Sequence, residues 1–265
     1  MAGGVEVQLF AIASRACSYG TAVLRPRRSE RLSGAERGMQ TIIEVDGVLL
    51  DLRSAYYVAH RKAAEEVGWA HLSEAEFWST LRKHGHTAPV LRGAKPIKQA
   101  QYADAFAQRL ESEEALAELR AQPAAVQLLR ILRGDRRLSL VTLGQNIAAR
   151  QAALDRAGLR GHDAGLTTLN ADPRRRAGEL SALGGGDSRA IVVAASDVLL
   201  RAAGSANLMG IGVSSGACAP NRLHQAGASV VFPDAAALVE AILAGSAQLA
   251  RVGIASAGAR DRRHG

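Results

Sequence analysis

The stretch Thr41-Ile42-Ile43-Glu44-Val45-Asp46-Gly47-Val48-Leu49-Leu50-Asp51 decides how this 265-residue chain is read. Thr41–Val45 is a short run of β-favouring residues, suited to a pleated, buried strand. Asp46-Gly47 ends it as a turn. A helical stretch follows from about Ser54 to Val67, and residues 58–120 contain almost no β-branched runs. They offer helix-friendly segments broken by Gly68, Gly85, Pro89, Gly93 and Pro96, residue types that end or interrupt helices.

After Pro123 strand and helix signals alternate. The spacing predicts helix 124–133, strand Leu138–Thr142, helix Ile147–Ala157, a short strand Ala164–Thr168 and helix Arg174–Leu183. Strand Ala190–Ala195, helix 197–207, strand Gly210–Val213, helix Pro220–Ala226, strand Ser229–Phe232 and helix Ala235–Leu243 complete the pattern. Strands separated by single amphipathic helices pair in parallel through right-handed crossovers. The expectation is a doubly wound α/β fold, a parallel sheet with an all-helical insertion after its first strand. Chemistry in such sheets collects at the carboxyl ends of the strands.

Composition narrows the class. Hydrophobic residues at 48% and charged residues at 22% describe a globular chain, and no run approaches the roughly 20 apolar residues of a membrane-spanning helix. Aromatic residues are only 4%, so the core must rest on Ala, Leu, Val and Ile. Cys17 and Cys218 cannot make a disulfide framework and lie in no metal-ligand spacing, which favours a cytoplasmic protein. The formal charge of +8 raises the question of nucleic acid, but residues 1–38 and 251–265 each carry a surplus of +3. Basicity gathered in the two ends, rather than on a folded face, argues against specific nucleic-acid binding. Residues 1–38 read as a flexible basic extension, with Met39 a candidate start, and residues 251–265 as a disordered basic tail.

Four blocks carry a resemblance: residues 42–51, Leu140-Val141-Thr142, Ile191 to Gly216, and Gln225-Ala226-Gly227-Ala228-Ser229-Val230-Val231. Their order and separation resemble the haloacid dehalogenase superfamily, in the branch of phosphoglycolate phosphatase and β-phosphoglucomutase that carries a helical cap. The resemblance implies a Rossmannoid core over residues 39–57 and 122–250 and a cap over 58–121. It also implies a phosphatase site whose residues are altered here. The family opens with Asp-x-Asp-Gly, a nucleophile followed by a general acid/base; this chain has Glu44 at the first position and Asp46 at the second. A Glu carries its carboxylate roughly 1.5 Å farther from the backbone, and a misplacement of about 1 Å costs on the order of 100-fold in in-line attack. Glu44 is then either a reshaped nucleophile or a carboxylate accepting nearby backbone hydrogen bonds.

Thr142 matches the hydroxyl that holds the transferring phosphoryl group, or else caps helix 147–157. Asn170 stands where the family has Lys, and Arg174, Arg175 and Arg176 follow at a helix start. Arg174 and its neighbours would bind an anion or lie exposed. Ala195 and Leu199 replace the acidic metal ligands, and Asp197 between them reads as a helix N-cap. Asp46 and Asp197 are the remaining candidate metal ligands, so no cofactor is expected, and Mg²⁺ only if hydrolysis survives. His84-Gly85-His86 reads as a polar cap loop, and Gly184-Gly185-Gly186, with no Lys-Ser/Thr after it, as a helix-to-strand turn. The resemblance thus predicts a fold without ordinary phosphatase activity. Such a protein would bind a small phosphorylated or anionic ligand, or a protein partner, and neither nucleic acid nor membrane. The alternative is a phosphomonoester hydrolase using Glu44 and Asp46 in altered roles.

Overall fold

The computed structural model describes residues 39–84, 88–133, 136–159, 165–187, 189–251 and 254. Residues 1–38, 252, 253 and 255–265, with Cys17 and His86, lie outside the described residues; Arg251 and Ile254, which the sequence put in a disordered tail, are instead helical and buried respectively. No helix among the described residues is long and apolar enough to cross a membrane.

Six parallel strands form the sheet. They are β1 (Met39–Glu44), β4 (Arg136–Thr142), β5 (Leu166–Thr168), β6 (Ile191–Ala194), β7 (Met209–Val213) and β8 (Ala228–Phe232), in the order β5-β4-β1-β6-β7-β8. Strand β1 is central, paired with β4 on one side and β6 on the other. Successive side chains of a strand point to opposite faces, and the Ile42-Ile43 pair shows it. Ile43 packs into one cluster with Leu128, Leu140, Val193 and Leu238, and Ile42 into the other with Val141, Val192, Leu199 and Leu223. Both isoleucines are wholly buried. Helices α5 (Ala125–Arg133), α6 (Ile147–Arg156), α7 (Pro173–Leu183), α8 (Asp197–Ser205), α9 (Pro220–Gln225) and α10 (Ala235–Leu243) cover the two faces.

The ribbon of β2 (Leu50–Asp51) with β3 (Arg120–Ala121), antiparallel and two residues long on each side, was not anticipated. It holds together the two ends of the helical insertion: α1 (Arg53–Glu66), α2 (Glu74–His84), a 3₁₀ turn at Ala88–Leu91, α3 (Pro96–Leu110) and α4 (Glu113–Ala117). Two residues per strand are too few for an alternation to show. The insertion has its own core of Ala59, Phe77, Leu91, Tyr102 and Phe106. Seven of the chain's ten aromatic residues lie between Tyr56 and Phe106, which is how a sheet built on aliphatics coexists with an aromatic cluster. His60 belongs to that cluster. It stacks on Phe77 at 4.3 Å, accepts the Leu72 N–H at Nε2 (3.0 Å) and sets Nδ1 2.7 Å from the Tyr102 hydroxyl. Burial lowers its pKa to about 4, so the ring is neutral.

Two local expectations are corrected. Asp197 is not the N-cap of α8; Ser196 is, its side chain accepting the Leu199 N–H, and Asp197 is the first helical residue. Thr142 does not cap α6 either, because Asn146 accepts the Ala149 N–H. At the far end a short helix α11 (Ala247–Arg251) extends the chain beyond α10, and Ile254 is buried in the core.

Candidate functional site

Strand order reverses about β1, so the carboxyl ends of β1, β4 and β6 converge. There Glu44, Asp46, Thr142 and the Ala195–Asp197 turn meet the loop after β5. The helical insertion faces them across a cleft of about 1020 Å³.

Glu44 ends β1 and is buried. Its extra methylene carries the carboxylate across to the turn after β6, where Oε2 accepts the N–H groups of Ala195 (2.8 Å) and Ser196 (2.9 Å). Burial raises its pKa to about 7; hydrogen bonds from Ser196 and Ala195 oppose the rise, and Asp46 adds to it. Gly47, at φ +86, completes the turn: a Cβ there would meet the Ala195 Cβ at 2.7 Å. Only glycine fits both the backbone angle and the close approach.

Asp46 faces a cation that the sequence did not announce. Arg150 Nε lies 3.1 Å from each Asp46 oxygen, while Nη1 and Nη2 reach Glu111 at 2.8 and 3.0 Å. Thr142, wholly buried, donates its hydroxyl to Asp46 and accepts the Gly144 N–H at 2.9 Å. Thr142 is therefore spent on Asp46. Gly144 makes room for Arg150, since a Cβ there would fall 1.9 Å from the guanidinium carbon. Glu111 also accepts the N–H groups of Gln145 and Asn146, at 3.1 and 2.9 Å. Burial alone would raise the Glu111 pKa, but Arg150 and these N–H groups hold it below the usual value.

On the β6 side Asp197 is 8% exposed and takes Arg222 at 2.7 Å and Arg201 at 3.2 Å. The arginines outweigh burial and keep its pKa low. Cys218 Sγ stands 3.6 Å from the same carboxylate, and burial, with Asp197, pushes its pKa up to about 12, so it is no thiolate nucleophile. Leu199 is wholly buried in the core beneath. Asn170 lines the cleft, its Oδ1 accepting the Asp172 N–H at 2.9 Å. Arg174 corrects the sequence reading: it and Arg175 are exposed at the start of α7, and the buried, cleft-lining member of the trio is Arg176. The phase of the helix decides this, since successive residues differ by about 100° around the axis. His84 also lines the cleft.

These residues do not fit a divalent magnesium ion, which needs carboxylate oxygens free to approach it. Both Asp46 oxygens face the Arg150 cation, Asp197 faces two more, and Ala195 and Leu199 offer no ligand. Among the described residues no group of three or more His, Cys, Asp or Glu is placed to hold a metal.

No family model matches the sequence, and no curated protein matches it. Solved structures do. A hydrolase from Pseudomonas syringae is 21% identical, with 76% of this chain and 96% of that one covered, at a TM-score of 0.55. A haloacid dehalogenase-like hydrolase from Streptococcus pneumoniae is 11% identical, with 76% and 97% covered, at 0.60. A candidate phosphoglycolate phosphatase from Lactobacillus delbrueckii subsp. bulgaricus is 16% identical, with 77% and 98% covered, at 0.59. Identities this low speak for architecture alone. The parallel sheet, its strand order, the helical insertion after β1 and these neighbours together show that the chain has the haloacid dehalogenase-like hydrolase fold.

Proposed function

We propose that this chain is a haloacid dehalogenase-fold protein that has given up phosphoryl transfer and holds a small anionic ligand in the cleft between cap and sheet. The observation that carries the reading is the Arg150 guanidinium bridging Asp46 and Glu111, with Thr142 on the same Asp46 carboxylate. A general acid/base must be free to exchange a proton with a reacting group. Here the carboxylate at that position is engaged by a buried cation. The carboxylate at the nucleophile position is turned toward two backbone N–H groups instead.

Magnitudes support loss over repair. Phosphoryl transfer depends on positioning and on charge neutralisation by metal and cation. Removing one such partner lowers the rate by about 100- to 1,000-fold, and here nucleophile, lysine and metal acids have all changed. A cleft near 1020 Å³ lies at the upper end of small-molecule sites. Of the arginines on its walls, Arg150, Arg201 and Arg222 are paired with Asp46, Glu111 and Asp197, and Arg176, which makes no ion pair among the described residues, favours an anion. The cysteine content supports a cytoplasmic setting, and the charge distribution supports a ligand other than nucleic acid.

A phosphatase screen with Mg²⁺ tests this. The unmodified chain should leave phosphomonoesters intact. Turnover that Asp46→Asn abolishes would overturn the reading in favour of a hydrolase. A Glu44→Asp, Ala195→Asp, Leu199→Asp triple variant serves as the positive comparison for regained metal binding.

A further inference from the structure

Three of the four cleft arginines have carboxylate partners: Arg150 has Asp46 and Glu111, and Arg201 and Arg222 share Asp197. Arg176 differs. It is only 3% exposed, it lines the cleft, and it donates Nε to the Asn170 carbonyl (2.9 Å) and Nη2 to the Ala171 carbonyl (2.7 Å). Neutral carbonyls fix its position without cancelling its charge. Among the described residues no carboxylate lies at ion-pair distance from it. Glu179, which acts on it electrostatically, spends Oε2 on the Asn170 N–H at 2.8 Å. A buried guanidinium whose carboxylate neighbours act only from beyond ion-pair distance is costly to the folded state. Burial pulls its pKa down against the opposing pull of Glu179, Glu44 and Asp172.

A guanidinium has five N–H donors in a planar fork. Two are used here, so others remain for a carboxylate. Across the cleft the insertion presents Tyr56 from α1, Leu81 from α2, and Phe106, Ala107 and Leu110 from α3. Those positions are apolar or aromatic; the insertion's polar cleft residues are His84 and Glu111, and Glu111 is paired with Arg150.

We infer that Arg176 anchors the carboxylate of a small organic monoanion whose apolar body lies against Tyr56, Phe106 and Leu110. The inference rests on the binding reading above and sharpens it. One buried cation with no ion pair among the described residues and with N–H donors to spare suits one carboxylate, and the apolar positions opposite favour an alkyl or aryl body over a phosphate's second charge.

Calorimetry on the full chain tests it with hexanoate, benzoate, acetate, hexanamide and inorganic phosphate. Hexanoate and benzoate should bind more tightly than acetate, and hexanamide at least about tenfold more weakly than hexanoate. Arg176→Met should weaken hexanoate by about 10- to 100-fold, as for loss of a hydrogen bond to a charged group, with partial recovery in Arg176→Lys. Ala107→Glu adds a carboxylate to the apolar wall while leaving Arg176 in place. It should weaken hexanoate too, so the test survives if Arg176→Met fails to fold. Equal binding of hexanamide and hexanoate, tighter binding of phosphate than hexanoate, or no binding of any probe would each overturn the inference. Tighter phosphate would still leave the anion-binding reading standing, whereas only phosphomonoester turnover removes that reading itself.

Discussion

Arg150 Nε sits 3.1 Å from both carboxylate oxygens of Asp46, and the Arg150 side chain is 5% exposed against 13% for Asp46. The pair closes off the acid at the carboxyl end of the central strand. Burial lowers an arginine's pKa, but Asp46 and Glu111 more than reverse this, so the guanidinium stays charged.

Arg150→Met should therefore destabilise the fold severely. It leaves Asp46 and Glu111 without their cation, and breaking a buried pair from one side costs about 3 to 5 kcal/mol. The lower end is expected, because Glu111 is 26% exposed and water offsets part of its loss. Urea unfolding gives the number; a change under about 1 kcal/mol would mean the network is dispensable.

Gly144→Ala probes the same contact from the backbone. The new methyl would meet the Arg150 guanidinium at 1.9 Å, so the side chain must move off Asp46 and Glu111. A loss of about 1 to 3 kcal/mol is expected for overpacking at such a site. In an Arg150→Ala background the same change should have almost no effect, since the atom it strikes is gone. Unequal backgrounds in a double-mutant cycle mark the coupling; equal losses would place the strain elsewhere.

The periodicity of residues 39–51 and 123–243 made the sheet legible, because helices and strands there alternate with clean apolar faces and Gly or Pro punctuation. Glu44, Asp46, Thr142, Asn170 and Asp197 were legible as positions on that frame. Their partners were not. Arg150 lies 104 residues from Asp46, and a mid-helix arginine in a run of alanines reads as a solvent-facing residue. The one available signal was Gly144 just before α6, a glycine with no positive-φ turn to justify it; it is explained by close approach instead. Arg176 could not be told from Arg174 without the phase of α7, which the cap residue Asp172 sets. Asp197 lost its capping role to Ser196 because either residue type caps well and only the backbone path decides.

Ser196→Ala removes that cap. The hydroxyl accepts the Leu199 N–H, and its loss should cost about 1 kcal/mol. It also takes away a hydrogen bond that lowers the Glu44 pKa, so Glu44 should titrate at a higher pH in the variant. Following the Glu44 carboxyl carbon by NMR separates the two effects. A midpoint unchanged from the native protein would show that Ser196 acts on the helix alone.

Glu44 itself should make stability fall as pH rises. Its folded pKa is raised from 4.5 to about 7, chiefly by burial, so between those values the native state holds a proton that the unfolded chain has released. Stability falls with pH wherever the native state binds more protons. The contribution is complete below about pH 4.5, declines through pH 5 to 7 and is gone above. It amounts to about 3 kcal/mol for a shift of this size. Asp197 and Glu111, held low by their arginines, act in the opposite sense at more acidic pH. Comparison with Glu44→Gln cancels them. The amide oxygen can still accept from Ala195 and Ser196, and the side chain no longer titrates. Relative to that variant the native protein should lose stability steadily from pH 5 to 7 and then run parallel to it. Parallel curves throughout would mean that Glu44 keeps its charge on burial.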